Sequence, residues 1–334
     1  MRLSRWVLSV AAATALGLAL VGGSSARTDS SIKVGLIVKT TTNPYFADMI
    51  KGAKAQAKKL HVTLLVASGK FDGDTGGQVT AIENMVSAGV KGIMITASGD
   101  AVVPALEKAR KAGVYTIALD SPTNPTSAVD ALFATNNYNA GKLIGQYAKK
   151  TFGSKPAHIV MIDLFPGPAV GVLRHNGFLA GFGTAGITPK DTTQKSASQV
   201  ECAADGFGDQ AKGQTAMENC LSKAPDVNLV YTINEPDAAG AYTALKNAGK
   251  TATIVSIDGG CAGVRNVKAG IIAATSQQYP HRMASLGLTA IVTYAKTGKK
   301  ALGYTDTGVN LITAKPVAGV PSKGLAFGLA NCWG

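Results

Sequence analysis

Polar and aromatic side chains follow the first apolar run of the chain, at the point where that run ends. The run covers residues 32–38, and residues 42–46 then read Thr-Asn-Pro-Tyr-Phe. A run of β-branched residues indicates a buried strand, and a polar cluster with a proline indicates that a helix begins. The amide of Asn43 can hydrogen-bond a hydroxyl group, while the rings of Tyr45 and Phe46 offer flat apolar faces. Together these groups suit a polyhydroxylated ring.

Four further hydrogen-bonding side chains stand at the ends of other apolar runs. They are Asp120 in the first half of the chain and Asn234, Asp258 and Gln278 in the second. Each one alone is also explained as a helix cap or a turn residue. Five such side chains at equivalent positions favour a binding site, because ligands of open α/β sheets bind at the carboxyl ends of the strands.

The apolar runs alternate with amphipathic segments along the whole chain. The predicted strands are residues 32–38, 62–67, 92–96, 115–119, 131–134, 158–162, 228–232, 253–257 and 271–275. Repeated strand–helix units predict an α/β fold of parallel sheets with helices on both faces. At roughly 150 residues per domain, the length suggests two domains.

The N-terminus has the features of a signal peptide. Arg2 and Arg5 precede an apolar stretch over residues 6–21, and small residues follow up to Ala26. A membrane anchor would need about 20 continuous apolar residues, and Gly22 interrupts this stretch too early. We therefore expect residues 1–26 to be removed and the soluble protein to be periplasmic.

The charge is strongly positive, with a formal net charge of +13. Many of the lysines lie along predicted helices or in their last turns, which is typical of solvated helix faces. An exported protein rarely meets nucleic acid, so we expect no nucleic-acid partner.

Four cysteines in an exported protein are expected to pair, because that compartment is oxidising. Three connectivities are possible, and we favour Cys202–Cys220 with Cys261–Cys332, because each pair then falls inside one domain. Zinc is the competing interpretation, but the chain has no C-x-x-C or H-x-x-x-H spacing. We predict no metal site and no cofactor.

Other local matches to known motifs are weaker. Residues 181–186 fit G-x-G-x-x-G but follow a helical stretch instead of a strand, which disfavours a dinucleotide site. Residues 72–77 resemble a calcium loop, but Gly76 stands where a ligand is needed, so a strand-to-helix turn with Thr75 near the cap is favoured. No G-x-S-x-G elbow and no spaced carboxylate pair indicate an enzyme.

Several of these segments resemble ribose-type periplasmic sugar-binding proteins, the type I periplasmic binding proteins, and occur in the same order. They are residues 42–46 (TNPYF), 118–120 (ALD), 232–236 (TINEP), 256–260 (SIDGG) and 276–280 (SQQYP). The fructose-binding components of bacterial ABC importers are similar in further segments, namely residues 72–75 (DGDT), 235–236 (EP), 259–261 (GGC), 306–309 (DTGV) and 332–334 (CWG). The resemblance covers nearly the whole chain after the leader.

The resemblance implies two Rossmann-like lobes joined by a three-segment hinge. The first lobe would comprise residues 32–135 and 279–311, and the second residues 136–278 and 312–334. By the same resemblance, the ligand would be bound by Asn43, Tyr45, Phe46, Asp120, Asn137, Arg174, Asn234, Asp258 and Gln278. Phe207 is a further candidate for ring stacking. Ser121 stands where ribose binders carry an arginine, which argues against ribose.

The implied function is capture of a monosaccharide, with fructose favoured, and its delivery to the membrane permease of an ABC importer with its ATPase. A chemoreceptor is a further possible partner, and a monomer is expected. The alternatives are a binding protein for another sugar, a polyol or a signalling ligand, and a secreted sugar-acting hydrolase. A sugar-responsive repressor would carry a DNA-binding helix-turn-helix where this chain has its leader.

Overall fold

A computed structural model of the chain describes residues 32–334, and the predicted signal peptide at residues 1–26 lies outside the described residues. The strands are β1 Lys33–Val38, β2 Thr63–Ser68, β3 Gly92–Ile95, β4 Tyr115–Leu119, β5 Ala131–Ala134, β6 Ile159–Asp163, β7 Val200–Asp205, β8 Leu229–Thr232, β9 Thr253–Asp258, β10 Ala274–Gln277, β11 Gly303–Asp306 and β12 Asn310–Thr313. The helices are α1 Pro44–Leu60, α2 Thr75–Ser87, α3 Val103–Lys111, α4 Asn137–Phe152, α5 Ala169–Phe182, α6 Gln210–Leu221, α7 Glu235–Asn247, α8 Cys261–Ala269, α9 Pro280–Thr297 and α10 Leu325–Asn331.

The strands form two six-stranded sheets. The first has the order β11-β5-β4-β3-β1-β2 and the second the order β12-β10-β9-β8-β6-β7. The strands pair in parallel except β10 and β12, which are antiparallel. We call the first sheet with α1, α2, α3 and α9 the first lobe, and the second sheet with the other helices the second lobe. The predicted α/β fold of two Rossmann-like lobes is confirmed.

The chain passes between the two sheets three times. It crosses after β5, after β10, and between β11 and β12. The predicted boundary between residues 311 and 312 falls inside β12, because Asn310 and Leu311 already pair with Gln277 and Ser276 of the second sheet. The rest of the predicted domain division stays a prediction.

Continuous apolar strands build a separate core in each lobe. All residues of β4 in the first lobe and of β8 in the second are buried. Strands that are covered by helices on both faces need apolar side chains on both, which explains the uninterrupted runs. Each lobe therefore has a rigid sheet whose strand ends can hold side chains in place.

Glycines bring α4 and α5 of the second lobe into close contact. A Cβ atom on Gly141 or Gly145 would collide with the carbonyl oxygens of Arg174 or Phe178 in the facing helix. Gly177 and Gly181 of α5 meet the backbone of α4 in the same way. Gly181 therefore serves helix packing, in agreement with the rejection of a dinucleotide motif there.

The structure contains both predicted disulfides. Cys202–Cys220 joins β7 to α6, and its Cα atoms are 5.6 Å apart. Cys261–Cys332 joins the start of α8 to the C-terminal segment, with 4.8 Å between the Cα atoms.

Two features are absent from residues 32–334. No helix in this range has both the length and the apolarity to cross a membrane. Nor do three or more His, Cys, Asp or Glu side chains in this range form a group that could hold a metal ion.

Candidate ligand-binding site

The predicted polar side chains lie at the carboxyl ends of the strands, where the two lobes face each other. Asn43 precedes α1 after β1, and Asp120 directly follows β4. In the second lobe Asn234 precedes α7, Asp258 ends β9 and Gln278 follows β10. Since the carboxyl ends of parallel strands share one edge of a sheet, each lobe presents its polar groups on one side.

Arg174 of α5 is the centre of a buried cluster of these polar side chains. Its Nε donates to Oδ1 of Asn137 over 2.8 Å, and its Nη1 donates to the carbonyl oxygen of Ile233 over 3.1 Å. The guanidinium also lies 3.6 Å from Asp120 Oδ1 and 3.7 Å from Asp258 Oδ1. Because Asp120 belongs to the first lobe and Asp258 to the second, this buried cation links the two lobes.

Asp120 is held by its neighbours in a special backbone conformation. Its φ of 63° lies in the left-handed region, which non-glycine residues seldom adopt. The hydroxyl of Tyr45 donates to its Oδ1 over 3.0 Å, and Ser121 donates to its Oδ2 over 3.3 Å. Burial, reinforced by the charge of Asp120, raises the pKa of Tyr45 well above its usual range, so the phenol remains a donor.

Asp258 is buried beside a second acidic group, Glu235. Burial raises the pKa of Asp258 to about 7; Arg174 opposes the shift and Asp120 adds to it. Its φ of 134° is again positive, and Nε2 of Gln278 donates to its Oδ1 over 2.9 Å. Such strained residues are typical of sites where one side chain must be aimed.

Glu235 holds the loop that follows Asp258. Its carboxylate accepts hydrogen bonds from the N–H groups of Gly259 and Gly260 over 2.9 and 3.0 Å, and from the hydroxyl of Thr275 over 2.8 Å. These donors favour the ionised carboxylate, but burial and the charge of Asp258 outweigh them and raise the pKa of Glu235 to about 8. Glu235 therefore fixes the backbone that presents Asp258.

Several of the predicted ligand residues have other partners in the structure. Asn43 caps α1, because its Oδ1 accepts from the N–H of Tyr45 over 2.9 Å. The amide of Asn137 donates to the carbonyl oxygens of Asp120 and Thr135 and accepts from Arg174. Asn137 therefore positions the arginine. Asn234 caps α7 by accepting from the N–H of Asp237, and it donates to the carbonyl oxygen of Gly208. The ring of Phe46 is buried in the core of the first lobe.

A cavity of about 470 Å³ lies between the strand ends of the two lobes. Asn43 and Asp72 of the first lobe line it, together with Asp258 and Glu235 of the second. Its aromatic lining consists of Phe71, Phe207 and Trp333. The ring of Phe207, the predicted stacking candidate, is 37 % exposed and stacks on Phe165 with 5.6 Å between centroids.

Some groups around this cavity were not predicted from the sequence. The buried Lys39 directly follows β1, so the rule that located Asp120 would have found it. Phe165 comes two residues after β6 and has no hydrogen-bonding side chain, so that rule could not find it. Nζ of Lys39 lies 3.7 Å from Asp72 Oδ1, and burial raises the pKa of Asp72. Asp74 accepts from the N–H of Gly77 and caps α2, as the interpretation of this segment as a helix start requires.

Comparison with known proteins identifies the family of this fold and cleft. The periplasmic binding protein domain matches residues 34–300. The chain belongs to the periplasmic binding protein family. As a member, it is a binding protein and not an enzyme.

Named relatives are similar over most of their length. The D-allose-binding periplasmic protein of Escherichia coli is 28% identical over 81% of this chain and 86% of its own. The ribose import binding protein RbsB of Bacillus subtilis is 27% identical over 77% of this chain and 79% of its own. A solved galactofuranose binding protein superposes with a TM-score of 0.75, 25% identity, and coverage of 84% of this chain and 94% of that one.

Proposed function

We propose that this periplasmic binding protein captures a monosaccharide between its lobes and delivers it to the permease of an ABC importer. The observation that carries the proposal is the buried Asp120–Arg174–Asp258 arrangement across the lobes, beside an aromatic-lined cavity. Carboxylates accept from sugar hydroxyls and a guanidinium donates to them, in charge-assisted bonds about twice as strong as neutral ones. The apolar C–H face of a sugar ring suits the aromatic lining.

The relatives support a sugar as the ligand. Their names assign D-allose and ribose to proteins that resemble this chain along most of its length. The predicted signal peptide supports export, since a protein that feeds an importer works outside the inner membrane. Asn43, Asp120, Arg174 and Asp258 are the residues that we propose contact the sugar, with Tyr45 and Gln278 orienting the two carboxylates.

Fructose is our favoured ligand, for two reasons. The chain shares its DGDT, DTGV and CWG segments with fructose-binding components. Ser121 stands where ribose binders carry an arginine; it is buried, and its hydroxyl donates to Asp120. The first lobe therefore supplies no guanidinium at this position. A site with fewer donors in this position would bind ribose less well than a sugar that does not need them.

A thermal-shift screen over ketoses, aldoses and polyols tests the proposal. A ligand at 100 times its Kd stabilises a protein by about 2.7 kcal/mol, which is easily measured. We expect the largest shift with fructose or a close hexose or pentose. A shift with an amino acid or peptide, and none with any monosaccharide, would overturn the proposal.

A further inference from the structure

Trp333 borders two cavities. It lines the cleft of about 470 Å³ between the lobes, and it also lines a cavity of about 550 Å³ beside Asp48, His281 and Asn331. Trp333 is therefore part of the wall of both cavities.

Trp333 contacts both lobes at this wall. Its ring lies edge-on to Tyr45 of the first lobe, with 5.2 Å between centroids and 79° between the planes. Its Nε1 donates to the carbonyl oxygen of Gln278, in the segment that crosses between the lobes, over 3.0 Å. Tyr45 in turn donates to Asp120, so Trp333 supports a residue of the proposed sugar site from behind.

The tail that carries Trp333 is fastened to the second lobe. The Cys261–Cys332 disulfide anchors the preceding residue to the start of α8, and the N–H of Cys261 donates to the carbonyl oxygen of Trp333 over 2.9 Å. Upstream, Nε2 of Gln277 donates to the carbonyl oxygen of Gly328 over 3.0 Å. The disulfide therefore fixes the indole within a short distance of its anchor.

We propose that Trp333 is a ligand-site residue held in the cleft by the Cys261–Cys332 disulfide, and that this tether sets the affinity for the sugar. The inference rests on the proposed function, whose ligand it shares. An indole with its N–H bonded leaves an apolar surface in the cleft, which suits the C–H face of a sugar. Because the ring also packs on Tyr45, it stabilises the arrangement in which the lobes are together.

Calorimetric titration of the sugar from the thermal screen tests the proposal on three variants of the full chain. Trp333→Ala and the double variant C261A/C332A should each weaken binding about tenfold or more, which corresponds to 1.4 kcal/mol. The double variant C202A/C220A is the matched control, because it removes a disulfide that joins β7 to α6 and lines neither cavity. It should lose thermal stability but keep the Kd of the parent.

A second measurement works without any ligand. In a chain that carries Trp6→Phe, Trp333 is the only tryptophan. Its fluorescence should resist quenching by acrylamide in this chain and in the C202A/C220A background. It should be quenched readily in the C261A/C332A background, because the untethered indole leaves the wall.

The outcomes separate the two proposals. If the parent binds a monosaccharide and Trp333→Ala keeps its Kd, Trp333 is only a packing residue and the inference is wrong. If C261A/C332A keeps the Kd of the parent, the disulfide does not set the affinity and that part of the inference is wrong. Equal quenching with and without the Cys261–Cys332 bond would overturn the tether by itself. Binding of no monosaccharide by the parent would overturn the proposed function, while the quenching experiment still decides on the tether.

Discussion

Arg174 is held by hydrogen bonds within its own lobe and also lies close to a carboxylate of each lobe. It donates to Asn137 and to the backbone within its own lobe, which holds it, and it lies near Asp120 and Asp258, of which Asp258 lines the cleft. The strand-end rule found both carboxylates, since it depends only on chain order. The rule could not show that the amides of Asn137 and Asn234 are hydrogen-bonded to neighbouring groups of the protein, because those bonds depend on which atoms the fold brings beside the amides.

Replacing Asp258 with alanine should weaken sugar binding by about 2 kcal/mol, because a charged hydrogen bond is lost and Arg174 loses a partner in a buried site. Calorimetric titration of Asp258→Ala measures the change. Asp191→Ala is the control, since Asp191 pairs with the exposed Lys195 outside the cavity lining. Normal binding by Asp258→Ala would remove this carboxylate from the site.

Two buried acidic groups, Asp258 at the end of β9 and Glu235 at the start of α7, should make stability depend on pH. In the folded chain the pKa of Glu235 is about 8 and that of Asp258 about 7, whereas both are near 4 when exposed. Between about pH 4 and about pH 8, the folded state therefore binds more protons than the unfolded state. The free energy of unfolding should fall as the pH rises through this window, by at most about 1.4 kcal/mol per pH unit and proton, and level off above it.

Urea unfolding at several pH values, without sugar, measures this effect. Glu235→Gln cannot ionise, so its free energy of unfolding should fall less steeply than that of the parent across the same window. Identical slopes for the two proteins would show that Glu235 is ionised throughout, as its three hydrogen-bond donors alone would suggest.

The elements that sequence patterns located best are the strands buried on both faces. β4 and β5 have the predicted bounds, because parallel strands that are covered by helices on both faces consist of continuous apolar residues. The sequence analysis did not predict β7, β11 and β12, which are three of the four edge strands. β7 contains Glu201 and Asp205, all of β11 is exposed, and β12 has only four residues. The predicted strand at residues 271–275 is displaced to Ala274–Gln277, since Ile271 and Ile272 fill the core from a turn.

The contact of α4 with α5 should tolerate no added side chain. Gly177→Ala places a Cβ against the carbonyl oxygen of Tyr138, so the helices must separate, and overpacking of this kind costs about 1–3 kcal/mol. Because α5 carries Arg174, sugar affinity should fall as well. Gly171→Ala in the same helix is the control: its Cβ would make only ordinary contact with Leu164, at 3.4 Å.

Urea unfolding and calorimetric titration of both glycine variants check this prediction. Gly171→Ala should keep the Kd of the parent and match or exceed its stability, because alanine is a better helix former than glycine by up to about 1 kcal/mol. If Gly177→Ala behaves in the same way, the two helices are not locked together at their glycines and another feature must position Arg174.

The arrangement of the two lobes would allow one small ligand to hold them together. In our proposal the first lobe supplies Asp120 and the second supplies Asp258 and Arg174, so the sugar would contact both sets only when the lobes are close. Two carboxylates near one guanidinium carry an excess of negative charge in a buried place, and burial already raises the pKa of Asp258. We expect sugar hydroxyls that donate to these carboxylates to relieve that excess, so that binding shifts the population toward the closed form.

Small-angle X-ray scattering of the parent protein, with and without a saturating concentration of the sugar found in the thermal screen, tests this account most directly. We predict that the radius of gyration decreases when the sugar is added, and that Asp258→Ala shows far less compaction at the same concentration. Tight binding of the sugar with an unchanged radius of gyration would contradict the account, because the ligand would then not join the two lobes.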